Sequence, residues 1–186
     1  MAFVVVYDAC VLHPAPLRDL LVRLGQRGLF RARWSEQILD ECFRSILERR
    51  PDLTIEKLAR TRTLMNEAIP DVMVTGHERF AAAVELPDPD DRHVVAAAVK
   101  AGAQLIVTFN LRDFPAADLR ELQIEAQHPD EFVLNLIDLA EASVCAVVRE
   151  QAAALKNPKR TVGELLDILQ AQGLAQSVAR LRELLD

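Results

Sequence analysis

The sequence predicts an α/β protein: a parallel β-sheet flanked by helices, with a small all-helical C-terminal appendage. Short β-rich runs, AFVVVY (2–7), DVMVT (71–75) and QLIVTFN (104–110), alternate with longer segments of helical spacing, the pattern of a parallel sheet with crossover helices. AFVVVY is apolar throughout, as in a strand covered on both faces. From Pro129 the texture turns helical and carries no strand signal. Residues 1–128 are therefore read as the sheet domain and 129–186 as a helical domain of two to four helices.

The elements follow in order. The first strand runs straight into Asp8. PLRDLLVRLGQRG (16–28) has helical spacing and stops at Gly28. Ser35 is an N-cap for EQILDECFRSILERR (36–50), whose Ile38, Leu39, Cys42, Phe43, Ile46 and Leu47 form one apolar stripe and which Pro51 closes. A third helix runs from Thr54 to about Ala68, and DVMVT is the second strand. ERFAAAV (78–84) is a short helix, and ELPDPDD (85–91) is a loop dense in acids and prolines. RHVVAAAVKAG (92–102) is nearly all apolar, so this helix is buried, and Gly102 ends it. QLIVTFN is another central strand, LRDFP (111–115) turns the chain, and a short strand lies near 123–127. Thr161 and Glu164 have capping-box spacing and open a C-terminal helix.

With 186 residues, half of them hydrophobic, the chain can bury a sizeable core. Its net charge of −6 argues against broad electrostatic binding of nucleic acid, so a polynucleotide partner needs local patches or cations that offset carboxylates. Nine aromatic residues are too few for an extended single-strand stacking platform. Cys10, Cys42 and Cys145 show no Cys-x-x-Cys spacing, which fits reduced thiols in a cytoplasm. Neither a signal peptide nor a run near the ~18 apolar residues of a membrane helix is expected.

Open parallel sheets place their sites beyond the carboxyl ends of the strands. Asp8 follows the first strand there, and Asn110 and Asp113 follow QLIVTF at the same edge. The helix before QLIVTF runs antiparallel to it, which brings its N-terminus, with Asp88, Asp90 and Asp91, to that rim. Clustered carboxylates repel one another, and divalent cations relieve the repulsion. Oxygen ligands without His or Cys partners favour Mg²⁺ or Mn²⁺ over Zn²⁺. Each residue also has an ordinary structural role open to it: a helix cap for Asp91, a turn for Asp8, an Asx-turn for Asn110, a solvated loop charge for Asp113. Periodicity places Glu41 beside Arg44 and Glu48, opposite the apolar stripe, and gives no reason to prefer it over Asp40 or Glu48.

VVVYDACVL, WSEQILDECFRSI and LPDPDDRHVVAAAVKAGAQLIVTFNLRDF, in that order, resemble the PIN-domain ribonucleases of the VapC type, the toxin half of bacterial toxin–antitoxin pairs. The likeness covers residues 1 to about 115, and the subgroup with an extra helical domain accounts for 129–186. It implies a PIN-like sheet and an acidic site of Asp8, Glu41, Asp91 and Asn110, with Asp113 as an auxiliary metal ligand and Thr108 in support. Many relatives carry an Asp where Asn110 stands, so weaker binding of a second ion is expected. The resemblance further implies Mg²⁺ (or Mn²⁺) as cofactor and hydrolysis of single-stranded or loop RNA by activated water. It also implies a cognate antitoxin lying along the acidic cleft, and a homodimer. Arg44, Arg49, Arg50, Arg60, Arg62 and His93 are the candidates to contact RNA. A phosphatase of the HAD type is disfavoured because Cys10 stands where its second Asp belongs. The alternative is a non-catalytic PIN-like RNA-binding or scaffold module.

Overall fold

A computed structural model describes residues 3–185. In chain order the elements are β1 (Val4–Tyr7), α1 (Ala9–Leu12), α2 (Ala15–Gln26), β2 (Arg31–Ser35), α3 (Glu36–Arg49), α4 (Ile55–Ala68), β3 (Met73–Val74) and α5 (Glu78–Ala81). There follow α6 (Arg92–Ala101), β4 (Leu105–Val107), α7 (Ala116–Leu119), β5 (Glu125–Gln127), α8 (Pro129–Ala154), α9 (Val162–Ala171) and α10 (Ala175–Leu185). The predicted start of the first strand, Ala2, lies outside the described residues.

All five strands are parallel, in the order β3-β2-β1-β4-β5. β1 is central, which is why its residues are apolar on both faces: Val5 pairs with Ala32 on one side and Leu105 on the other. β2 was not foreseen from the sequence. Arg31 and Arg33 interrupt its apolar run, yet Ala32 and Trp34 are fully buried. The Trp34 indole N–H donates to Asn66 Oδ1 at 2.9 Å, so the ring is hidden without losing its hydrogen bond.

The helix signals in the sequence act as expected. Ser35 accepts from the Ile38 N–H, Thr54 from that of Lys57, and Thr161 and Glu164 form the capping box. Gly102 ends α6 at φ +62°, a conformation costly for residues with a Cβ. The small alanines of α6 let it sit buried against the sheet.

The C-terminal helices share the sheet's core. Phe132 of α8 meets Tyr7 and Phe30 edge-on, with ring centroids 6.2 and 5.2 Å away. The buried Asp130 carboxylate accepts the Gln176 and Ser177 N–H groups at 2.9 and 2.8 Å, capping the start of α10. Gln172 Oε1 accepts the Leu17 N–H at 3.1 Å. Among the described residues no helix is long and apolar enough to cross a membrane.

Candidate active site

Asp8 leaves the carboxyl end of β1 and is 2% exposed. Its Oδ1 accepts the Ala9 N–H at 2.6 Å; its Oδ2 accepts the Thr108 hydroxyl at 2.7 Å and the Cys10 thiol at 3.1 Å. Asp8 thus does cap a turn, that of α1, and also has chemistry to spare. A carboxylate offers about four lone-pair positions, and the three donors leave one of them open. Burial pushes its pKa up, the Thr108 and Cys10 bonds draw it down, and the charge of Glu41 raises it again. Pairing of Tyr7 with Val107 is what sets Asp8 beside Thr108.

Thr108 is fully buried and bonded in both directions: it donates to Asp8 and accepts the Asn110 N–H at 3.0 Å. Cys10 is a site component that sequence reasoning missed. Its sulfur also accepts the Phe109 N–H at 3.3 Å and lies 3.4 Å from Thr108 Oγ1, and burial pushes its thiol pKa well up. The signal was in the sequence, two residues after Asp8, but its meaning depends on the β1–β4 register.

Asp91 ends a 3₁₀ turn, Pro89–Asp91, just before α6. Its side chain caps nothing; the capping work falls to Asp88, which accepts the Asp90 N–H at 2.9 Å. Partial burial pushes the Asp91 pKa up to about 7, with the charges of Asp8, Asp88, Glu41 and Asp113 adding to the rise. The acids from β1, α3, the 85–91 loop and the segment after β4 are therefore electrostatically coupled at one rim.

Glu41 lies on the half-buried flank of α3, and its Oε2 is 3.2 Å from His93 Nε2. α3 packs against α6, so this flank, which the helical wheel assigned to solvent, faces the site. His93 is buried and engaged with Glu41 rather than displayed to solvent. Asn110 is exposed and its side chain makes no capping bond. Asp113 is half-buried, 3.8 Å from Arg112 Nε.

The arginines divide. Arg49 lines a cleft of about 260 Å³ together with Cys10 and Glu41. Arg44 and Arg60 are exposed. Arg50 is held in a two-pronged pair with Asp52 at 2.7 and 2.6 Å, and Arg62 is taken up by Asp40 and Glu36. Behind the site, the α9–α10 turn touches Phe109: a Cβ added at Gly173, where φ is +100°, would stand 3.2 Å from Phe109 Cε1.

The donor set of Asp8, Glu41, Asp91, Asn110 and Asp113 is all oxygen, which matches a hard divalent cation. Burial is the main cause of the raised Asp91 pKa, and the neighbouring charges of Asp8, Asp88, Glu41 and Asp113 add to it. Among the described residues no three acid, histidine or cysteine side chains are already drawn together as a metal cage. The set fits such an ion in chemistry and charge.

Residues 4–112 match the PIN domain family, more than half of the chain. The chain belongs to the PIN-domain family. Further along this PIN protein, residues 129–183 match the VapC50 C-terminal domain. A relative in Mycobacterium tuberculosis (strain ATCC 25618 / H37Rv), named "Putative ribonuclease VapC50", is 45% identical over 94 residues, covering 50% of this chain and 55% of its own. The chain thus spans about half the length of the curated relative that it matches. No solved structure matches it.

Proposed function

We propose that this PIN protein is a Mg²⁺- or Mn²⁺-dependent endoribonuclease of the VapC toxin type, cutting single-stranded or loop RNA and restrained by a cognate antitoxin. The observation that carries the reading is Asp91: a half-buried carboxylate that caps no helix and is coupled to Asp8, Glu41 and Asp113. Structural acids are normally spent on caps or ion pairs, and this one is not. The family match and the relative's name support the same reading.

In this reading Asp8, Glu41 and Asp91 hold the cation, with Asn110 and Asp113 completing its surroundings. The chemistry such an ion supplies is charge neutralisation at the phosphodiester and acidification of water. Thr108 and Cys10 fix the orientation of Asp8, and His93 fixes that of Glu41. With the Asp91 pKa raised to about 7, a proton would compete with the cation for this carboxylate near neutral pH. Arg49 would steady an adjoining phosphate, an Arg or Lys of the antitoxin would answer the acidic rim, and the protein acts as a cytoplasmic homodimer.

The test is cleavage of an RNA pool by the purified chain with Mg²⁺, with Mn²⁺ and with EDTA, beside Asp8→Asn. Cleavage that needs the cation and disappears in Asp8→Asn is expected. RNA binding without cleavage under any of these conditions would favour the scaffold reading instead.

A further inference from the structure

The cleft beside the acids has a composition that metal binding does not use. Its volume is about 260 Å³, below the ~300–1,000 Å³ of pockets for drug-sized ligands, so it suits one small ring system. Glu41 and Cys10 form the side shared with the acid site, so a group bound in the cleft lies next to the bond to be cut. Pro14 and Phe109 supply ring surfaces. Phe109 is held in place: its ring sits 5.1 Å from that of His128, and Gly173 lies against it.

His13 adds a directional contact. The residue is half-buried and lines the cleft, and its ring also bonds to the Ser45 backbone. Burial and the Arg49 charge lower its pKa, against a Ser45 backbone bond that raises it, and a neutral imidazole offers one donor and one acceptor nitrogen. Arg49 stands at the same cleft as a cation for a neighbouring phosphate.

We infer that this cleft is a nucleobase subsite, taking the base of a nucleotide next to the scissile phosphate: Pro14 and Phe109 pack on the base and His13 reads its edge. Single-stranded RNA is read in this way, by stacking plus hydrogen bonds to an unpaired base. The inference rests on the ribonuclease reading and adds to it a determinant of sequence preference.

The experiment uses the full chain carrying Asp8→Asn, with Mg²⁺. AMP, CMP, GMP and UMP are titrated in turn, and the His13 ring resonances are followed by NMR. At least one nucleotide should shift those resonances saturably. Phe109→Ala should weaken that binding roughly tenfold, the scale of one lost base stack. Phe109→Leu serves if the alanine variant melts early. His13→Ala, at a half-exposed position, should bind the four nucleotides with more nearly equal affinity. In the cleaving protein, His13→Ala should flatten base preference at one position beside the cut. Absence of a His13 shift with all four nucleotides overturns the subsite, as does unchanged affinity and preference in the His13 and Phe109 variants. Nucleotide binding without RNA cleavage by the wild type would keep the subsite and reject the ribonuclease reading.

Discussion

The Thr108 hydroxyl donates to Asp8 Oδ2 at 2.7 Å across two neighbouring parallel strands, joining residues 100 positions apart. Thr108 Oγ1 in turn accepts the Asn110 N–H, so one buried hydroxyl orients both the acid after β1 and the residue that starts the next turn.

Thr108→Val keeps the shape and removes both bonds. It should lower stability by about 1–3 kcal/mol, because a buried carboxylate and a backbone N–H each lose a partner. RNA cleavage should fall by more than tenfold, while Thr108→Ser retains most of it. Urea unfolding and initial cleavage rates measure the two effects. Equal activity in the valine and serine variants would show that the hydroxyl is not needed.

Asp91→Asn should stabilise the cation-free protein while abolishing cleavage. The folded chain raises this acid from its ordinary 3.8 to about 7, so it binds the proton more tightly than the unfolded chain does. The group's contribution to stability is therefore greatest below about pH 4, is lost as pH rises to about 7, and stays constant beyond. An asparagine has no charge to penalise. The melting temperature in EDTA should be higher than wild type at pH 8 and nearly equal at pH 4. A lower value at pH 8 would contradict the coupling of these acids.

His93→Ala should act through Glu41. With its hydrogen-bond partner gone, Glu41 is free to swing, and the Mg²⁺ concentration needed for half-maximal cleavage should rise about 10–100-fold. Saturating Mg²⁺ should restore most of the rate. A loss of rate that no Mg²⁺ concentration repairs would point to a direct part for His93 in the reaction.

Asp130→Ala should loosen the C-terminal helices. It strips the cap from α10 and leaves two N–H groups near the core unpaired, at a cost of about 1–3 kcal/mol. Amide hydrogen exchange should quicken first in α10. Uniform quickening across the sheet would mean that the two regions unfold as one unit.

Much of the architecture was legible in the chain because local signals agreed with one another. Consecutive valines gave the central strand, and Ser35, Gly102 and Thr161 punctuated their helices where the structure has the boundaries. β2 escaped because Arg31 and Arg33 stand among its apolar residues, and only the pairing with β1 shows that Trp34 is inside. The rim of acids followed from topology alone. Glu41 did not, since its orientation depends on how α3 packs on α6, and Cys10 depended on a strand register that no local pattern encodes.

Gly173 pressed against Phe109 has a consequence for how such proteins can be recombined. A grafted helical tail with any residue other than glycine at this turn would strain the backbone there and press its side chain on the Phe109 ring. Tail and sheet domain are therefore not freely interchangeable cassettes. A chimera that folds but is inactive should be repaired first by a glycine at this single position.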